Sequence, residues 1–279
     1  SLLKDAGFNS VTELSRWRLY DKTGGGLMAE LGSHQLDASS IFLGHVHPLA
    51  VSGVGGKFFY GPGRNDRESD DGVFVTYEFP GPKHPKAGKG GTDPSDIVVV
   101  SYESFNTNSF EKYGECLMGS RGTMVVEMEA EVYLYKEPEP GKANSGGKDT
   151  KVAITTTKDG KPVAEATSTW GGAGGPAIVK AAGAAAWDTP VRGYQTELEH
   201  FAYCVRKWDK KVGWEKGPDG KFKQDVPRCH GEVAMADAIL ALTANMAMKK
   251  QARIEFEDGW FKPESADVPE TKHAPSQAT

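Results

Sequence analysis

From Val51 onward the apolar residues of this 279-residue chain fall at alternate positions in short β-rich runs, at 51–59, 73–79, 97–105, 115–118 and 123–128. Period-two alternation puts one set of side chains on one face of a strand. These runs follow one another without the strict βαβ alternation of a parallel sheet, so most of a sheet is expected to be contiguous and antiparallel. Ser120, Arg121 and Gly122 read as a hairpin connection in which Gly122 can take a positive φ. Helical spacing is confined to three stretches. Leu27, Leu31, Ala38 and Phe42 recur along 27–43, with Gly44 as the stop. Tyr194, Leu198, Phe201 and Val205 form a stripe on 191–208, and Val233, Ala236, Leu240 and Ala244 another on 229–250. A last strand is expected at 253–256. The pattern predicts an α+β domain with an open, mainly antiparallel sheet.

Residues 137–187 are rich in Gly, Ala, Lys, Thr and Pro, with apolar periodicity only at 152–157, and read as an insertion or mobile loop adding little to the core. The expected organisation is one α+β domain over 1–265 carrying this insertion, then a polar tail over 266–279. A formal net charge of −5 argues against a nucleic-acid partner, which needs a Lys/Arg excess on some face. No run of about eighteen apolar residues and no charged-then-apolar leader is present, so no membrane span is expected. Cys116, Cys204 and Cys229 are odd in number and form no C-x-x-C pair, and read as free thiols. Free thiols lean towards a reducing compartment such as the cytoplasm, while the location stays open.

Chemistry concentrates in Gly24-Gly25-Gly26-Leu27-Met28-Ala29-Glu30-Leu31-Gly32-Ser33-His34-Gln35-Leu36-Asp37. On a helix, Glu30, His34, Asp37 and Ile41 are spaced by four, three and four, so the three ionisable groups share a face. A carboxylate four residues before an imidazole can accept its N–H, fix its tautomer and raise its basicity, as a general base near neutral pH requires. Glu and His four apart are also found on solvated helices as weak pairs. The triple glycine lets backbone and ligand approach closely just before the helix.

This segment resembles the third motif of the glucose–fructose oxidoreductase / inositol dehydrogenase / rhizopine-catabolism (Gfo/Idh/MocA) oxidoreductase family: three glycines, three variable residues, Asp, three variable residues, His. The resemblance makes His34 the catalytic His and puts Glu30 in place of the family's Asp, one methylene longer in reach. It makes Asp37 a contact for substrate hydroxyls, and Trp17-Arg18 the approach to the motif. Gly119 and Gly122 in the 115–128 hairpin, the 197–205 and 231–247 helices and the closing 253–260 segment follow in the family's order, with 136–187 outside it. The resemblance implies a C-terminal substrate domain like that of dihydrodipicolinate reductase, a mainly antiparallel mixed sheet with helices on one face. It implies oxidation of a sugar or polyol carbinol with NAD or NADP in the complete enzyme. Arg18, Trp17, Gly25, Gly26 and Tyr194 are then expected to join Asp37 around the substrate.

The family's other half is a Rossmann domain that carries the cofactor and a catalytic Lys. Sixteen residues precede Trp17, so that domain is expected to be absent here and supplied in cis or in trans, and this chain alone is expected to bind no cofactor. Two G-x-G-x-x-A matches, Gly24/Gly26/Ala29 and Gly172/Gly174/Ala177, follow segments too polar for the buried strand a dinucleotide fingerprint needs. His45 and His47 alternate in a loop without a third ligand, so no metal is expected. Arg64, Asn65, Asp66 and Arg67 read as a solvated turn, and Cys229 beside His230 as unrelated neighbours. Whether the chain is itself an enzyme is open. The alternatives to a substrate half are a homo-oligomeric assembly module with a vestigial site and the family's NAD-dependent glycoside cleavage.

Overall fold

The computed structural model describes residues 2–61, 63–64, 67–107, 113–120, 122–127, 131–136, 151–156, 162–167, 178–180 and 194–270. Two short helices, α1 (Leu2–Asp5) and α2 (Val11–Ser15), lead to a 3₁₀ turn at Trp17–Leu19. After the glycines comes a π-helical turn at Met28–Gly32, continued by α3 (Ser33–Leu43). The helix expected over 27–43 therefore exists, with one wide turn inside it. That turn corrects the expected stripe. Met28, Gly32, Leu36 and Ser40 are buried, whereas Leu31 and Phe42 are exposed. Residues four apart drift by about 40° in a plain α-helix, and a wider π turn offsets that drift. Gly44 ends α3 in the left-handed conformation, and the His45 N–H donates back to the Ser40 carbonyl at 2.7 Å.

Contacts divide the chain into two compact units, Ser1–Asn108 with Cys229–Thr279, and Ser109–Arg228. In the first, β1 (Ala50–Gly56), β2 (Gly72–Pro80), β3 (Ile97–Phe105) and β10 (Ile254–Glu255) form a sheet in the order β10-β1-β2-β3. Every pairing is antiparallel, with Val51 opposite both Tyr77 and Ile254, and Val75 opposite Tyr102. Val51, Val73, Val75, Tyr77, Phe79, Tyr102 and Ile254 are the buried set, as alternation requires. Each such side chain contributes about 1.5–3 kcal/mol when fully buried. They pack against α5 (Gly231–Lys250), whose Leu240, Ala244 and Met248 belong to the same core, and α3 lies beside α5. Gly53 and Gly55 let β1 approach α5: a Cβ on Gly55 would stand 2.8 Å from Met248 Sδ. The other sheet face exposes Val54, Phe74, Ile97, Val99 and Phe105.

Between β1 and β2 the chain turns around one carboxylate. Asp71 is fully buried and accepts backbone N–H donations from Phe58 (2.8 Å), Phe59 (3.0 Å) and Tyr60 (2.6 Å). Burial alone raises its pKa, but the three donors prevail and it lies below the usual carboxylate value. The turn expected to be solvated at 64–67 is only partly so: Arg64 lies over the Phe59 ring, while Arg67 is buried and lies over Tyr60. The aliphatic stem of an arginine covers apolar surface, which hides such residues from a polarity count. Asn65 and Asp66 lie outside the described residues.

The second unit has its own sheet, β4 (Gly114–Gly119), β5 (Gly122–Glu127), β6 (Glu131–Lys136) and β9 (Ile178–Lys180), antiparallel in that order. The strands expected to join one contiguous sheet are thus shared between two sheets. Gly119 pairs with Gly122, so Gly122 belongs to β5, while Arg121 is outside the described residues. The segment read as an insertion supplies β9 and the hairpin of β7 (Lys151–Thr156) and β8 (Pro162–Thr167). Helix α4 (Tyr194–Lys207) follows; its stripe of Tyr194, Leu198, Phe201 and Val205 is exposed, and Cys204 is the residue it buries. Beyond it, Trp208 and Trp214 pack at 5.0 Å and the Gln224 amide ties Asp209 to Gly213. No disulfide joins Cys116, Cys204 and Cys229 to one another.

Candidate functional site

The glycines are fixed from two sides. The Thr23 hydroxyl donates to the Trp17 carbonyl at 2.7 Å, and the Gly24 N–H to the Tyr20 carbonyl at 2.7 Å. A Cβ on Gly25 would lie 2.3 Å from that of Ala29, and Gly26 has φ +64°, so side chains are excluded by crowding at one and strained by the backbone at the other. From α5, the Asn245 amide donates to the Gly25 carbonyl at 2.7 Å. The chain therefore enters the π turn along a defined path.

Within that frame Arg18 and Glu30 meet. Arg18 Nε donates to Glu30 Oε2 at 2.7 Å, and its guanidinium lies 4.5 Å from the Trp17 ring centroid. Arg18 and Trp17 are exposed and Glu30 is half-buried. Glu30 thus takes its hydrogen bond from Arg18, and no hydrogen bond joins it to His34 among the described residues. His34, in the first turn of α3, presents an exposed imidazole. Asp37 follows, half-buried. Burial raises its pKa, while the charges of His45 and His34 act to lower it.

A further carboxyl faces this group from α5. Asp237 is 7 % exposed, and burial together with the charge of Asp37 pushes its pKa up to about 7. Neither Asp237 nor Asn245 stands out in the sequence. The stripe of Val233, Ala236, Leu240 and Ala244 runs beside position 237. The available signal is that Asp237 lies three, four and seven residues before buried Leu240, Ala241 and Ala244.

Residues 5–85 match the GFO/IDH/MocA C-terminal domain. Over that stretch the chain is similar to that domain. That stretch contains the glycines, Trp17, Arg18, Glu30, His34 and Asp37 together with β1 and β2. No curated protein matches the chain. Among solved structures, an NAD binding oxidoreductase from Klebsiella pneumoniae is 15 % identical with a TM-score of 0.50, over 87 % of this chain and 54 % of that one. It has the same α+β fold. An aldose-aldose oxidoreductase from Caulobacter crescentus complexed with glycerol is 16 % identical, TM-score 0.47, over 86 % and 51 %. A levoglucosan dehydrogenase complexed with NADH and levoglucosan is 15 % identical, TM-score 0.47, over 86 % and 53 %. The chain spans about half the length of the solved structures it matches.

The glycine segment lacks the strand that precedes a dinucleotide fingerprint. It follows a 3₁₀ turn at Trp17–Leu19. The second glycine match lies outside the described residues. His47 stacks on Phe261 at 3.8 Å, and burial lowers its pKa against the opposing charge of Asp258. Among the described residues no three His, Cys, Asp or Glu side chains are arranged to hold a metal ion, and no helix is long and apolar enough to cross a membrane. Tyr194, proposed from sequence for the same cleft, begins α4 in the second unit and is exposed.

Proposed function

We propose that the first unit is the substrate-binding part of an NAD(P)-dependent oxidoreductase acting on a sugar or polyol carbinol. The observation that carries this reading is the exposed His34 imidazole within the electrostatic reach of half-buried Asp37, on the helix that follows the family's glycine segment. His34 Nδ1 or Nε2 takes the hydroxyl proton as the carbinol becomes a carbonyl. Asp37 accepts from a neighbouring hydroxyl and stabilises the imidazolium that forms. Glu30 fixes Arg18, which with Trp17 borders the approach, while Gly25 and Gly26 leave room beside the backbone. The nicotinamide, held by another part of the complete enzyme, supplies the hydride acceptor.

Calorimetric titration with inositols and aldoses tests this reading. Binding by the chain that is lost or weakened at least about tenfold in His34→Ala supports it; equal binding by both proteins removes His34 from the site. A second reading, a homodimeric assembly module, is favoured by the exposed apolar sheet face of Val54, Phe74, Val99 and Phe105. A monomer in light scattering at micromolar concentration would count against it.

A further inference from the structure

Asp237 is the first buried residue of α5, and Leu240, Ala241, Ala244 and Met248 continue that buried face towards the C-terminus of the helix. An apolar helix face is an unfavourable place for a carboxylate, since ionised groups lose far more solvation than neutral ones on burial. Such carboxyls in folded proteins usually accept from backbone N–H groups or an arginine, as Asp71 does in this unit. Asp237 has neither among the described residues. Burial raises its pKa first, and among the described residues the charge that adds to this is Asp37, a like charge across the α3–α5 contact. Nor are its oxygens among the polar atoms sealed from solvent without a partner, so its residual exposure includes the carboxyl end.

The charged groups around the pair are few. His34 and His45 act on Asp37 from α3 and from the residue after its cap. From the 3₁₀ turn Asp258–Phe261, which also packs on α5, Asp258 acts on His47. Two carboxyls in this relation share one proton near neutral pH: the more buried one keeps it and the other stays ionised. The pair then offers a donor next to an acceptor. A cation shared by both carboxyls would require both groups ionised, and an anion would be repelled by Asp37. A pair of adjacent hydroxyls, each donor and acceptor at once, matches the arrangement.

We propose that Asp237 is a substrate-positioning residue whose carboxylic acid donates a hydrogen bond to one hydroxyl of a vicinal diol while the Asp37 carboxylate accepts from the next. This rests on the sugar or polyol reading above and adds the diol geometry it must recognise. No covalent step is assigned to Asp237, which keeps its proton throughout turnover.

The test is the pH dependence of myo-inositol binding by calorimetry in wild type, Asp237→Asn, Asp237→Leu and His34→Ala, with ¹³C-carboxyl titration of Asp237 by NMR alongside. Wild-type affinity is expected to fall about tenfold per pH unit above 7, as the donor is lost. Asp237→Asn, an isostere that keeps a donor, should give a flat profile over that range, and Asp237→Leu should bind at least about tenfold more weakly at pH 6 with an unchanged circular dichroism spectrum. The NMR midpoint should drop in Asp37→Asn. Weakened binding in His34→Ala with wild-type affinity in Asp237→Leu would overturn the proposal and leave the substrate reading intact. No inositol binding by wild type would overturn both.

Discussion

Two aspartates in the first unit, both buried, have opposite environments. Asp71 is surrounded by donors: three consecutive backbone N–H groups converge on it, and its carboxyl is held below its ordinary value. Asp237 faces a second carboxyl and is pushed up to about 7. The difference separates a carboxylate that organises the chain from a carboxyl that the chain leaves uncompensated. A fold retains the second kind at a standing loss of stability, which is why buried carboxyls without partners concentrate at sites of recognition and catalysis.

The contrast is sharpest in stability measurements. Asp71→Ala strips three partly buried N–H groups of their acceptor, and a loss of about 3 kcal/mol or more is expected in urea melts; a loss under about 1 kcal/mol would mean that the 58–60 turn stands without it. Next comes Gly25→Ala, where the new Cβ collides with that of Ala29, expected to destabilise by about 1–3 kcal/mol by thermal denaturation. For Asp237→Leu the sign depends on pH. The folded pKa lies above the unfolded one, so the folded state holds the extra proton between roughly pH 4 and 7, and wild-type stability falls as pH rises through that window. A tenfold difference in proton affinity between the folded and unfolded states corresponds to about 1.4 kcal/mol. The variant lacks this slope, so its stability relative to wild type should climb towards pH 7 and level off above it; parallel stability curves would remove the contrast with Asp71.

Smaller effects follow. Asn245→Ala should cost about 1 kcal/mol through loss of the hydrogen bond to Gly25, read from chemical denaturation. Arg18→Ala should change stability by less than about 1 kcal/mol, because its bond to Glu30 is made by an exposed guanidinium in solvent. A weaker affinity for inositols with so small a change in melting temperature would place Arg18 with the substrate and not with the fold.

Much of the first unit was legible in the sequence because its strands keep strict alternation against one core. Val73, Val75, Tyr77 and Phe79 are spaced by two and all four are buried. Pairing partners were less legible. Nothing in the 115–128 hairpin distinguishes joining the sheet of Val51 from founding another, since that choice depends on contacts distant in sequence. The helices show the same limit. Leu31 and Phe42 fit an ideal α-helical stripe and are exposed, because a π turn leaves no compositional mark. At the site, the glycines and the positions of Glu30, His34 and Asp37 along one helix were readable. That Glu30 bonds Arg18 was not, as it depends on how 17–19 folds back. Asp237 was hidden for a related reason: an acidic residue between alanines reads as the polar side of a helix until its face is known.

The turn at Met28–Gly32 has a consequence for how this segment tolerates length changes. A π turn holds one residue more than the ladder around it, so deleting a single residue there would restore an unbroken α-helix instead of unfolding it. The restored helix would keep its caps and hydrogen bonds, and everything beyond it would keep nearly its present direction relative to the glycines, because the wide turn spreads a single rotation over the extra residue. His34 and Asp37 would then stay on their present face while the lost residue came out of the 28–32 turn. The segment is therefore permissive for both folding and alignment, and a one-residue gap in a related sequence would mark the loss of the wide turn with the helix face of His34 and Asp37 kept.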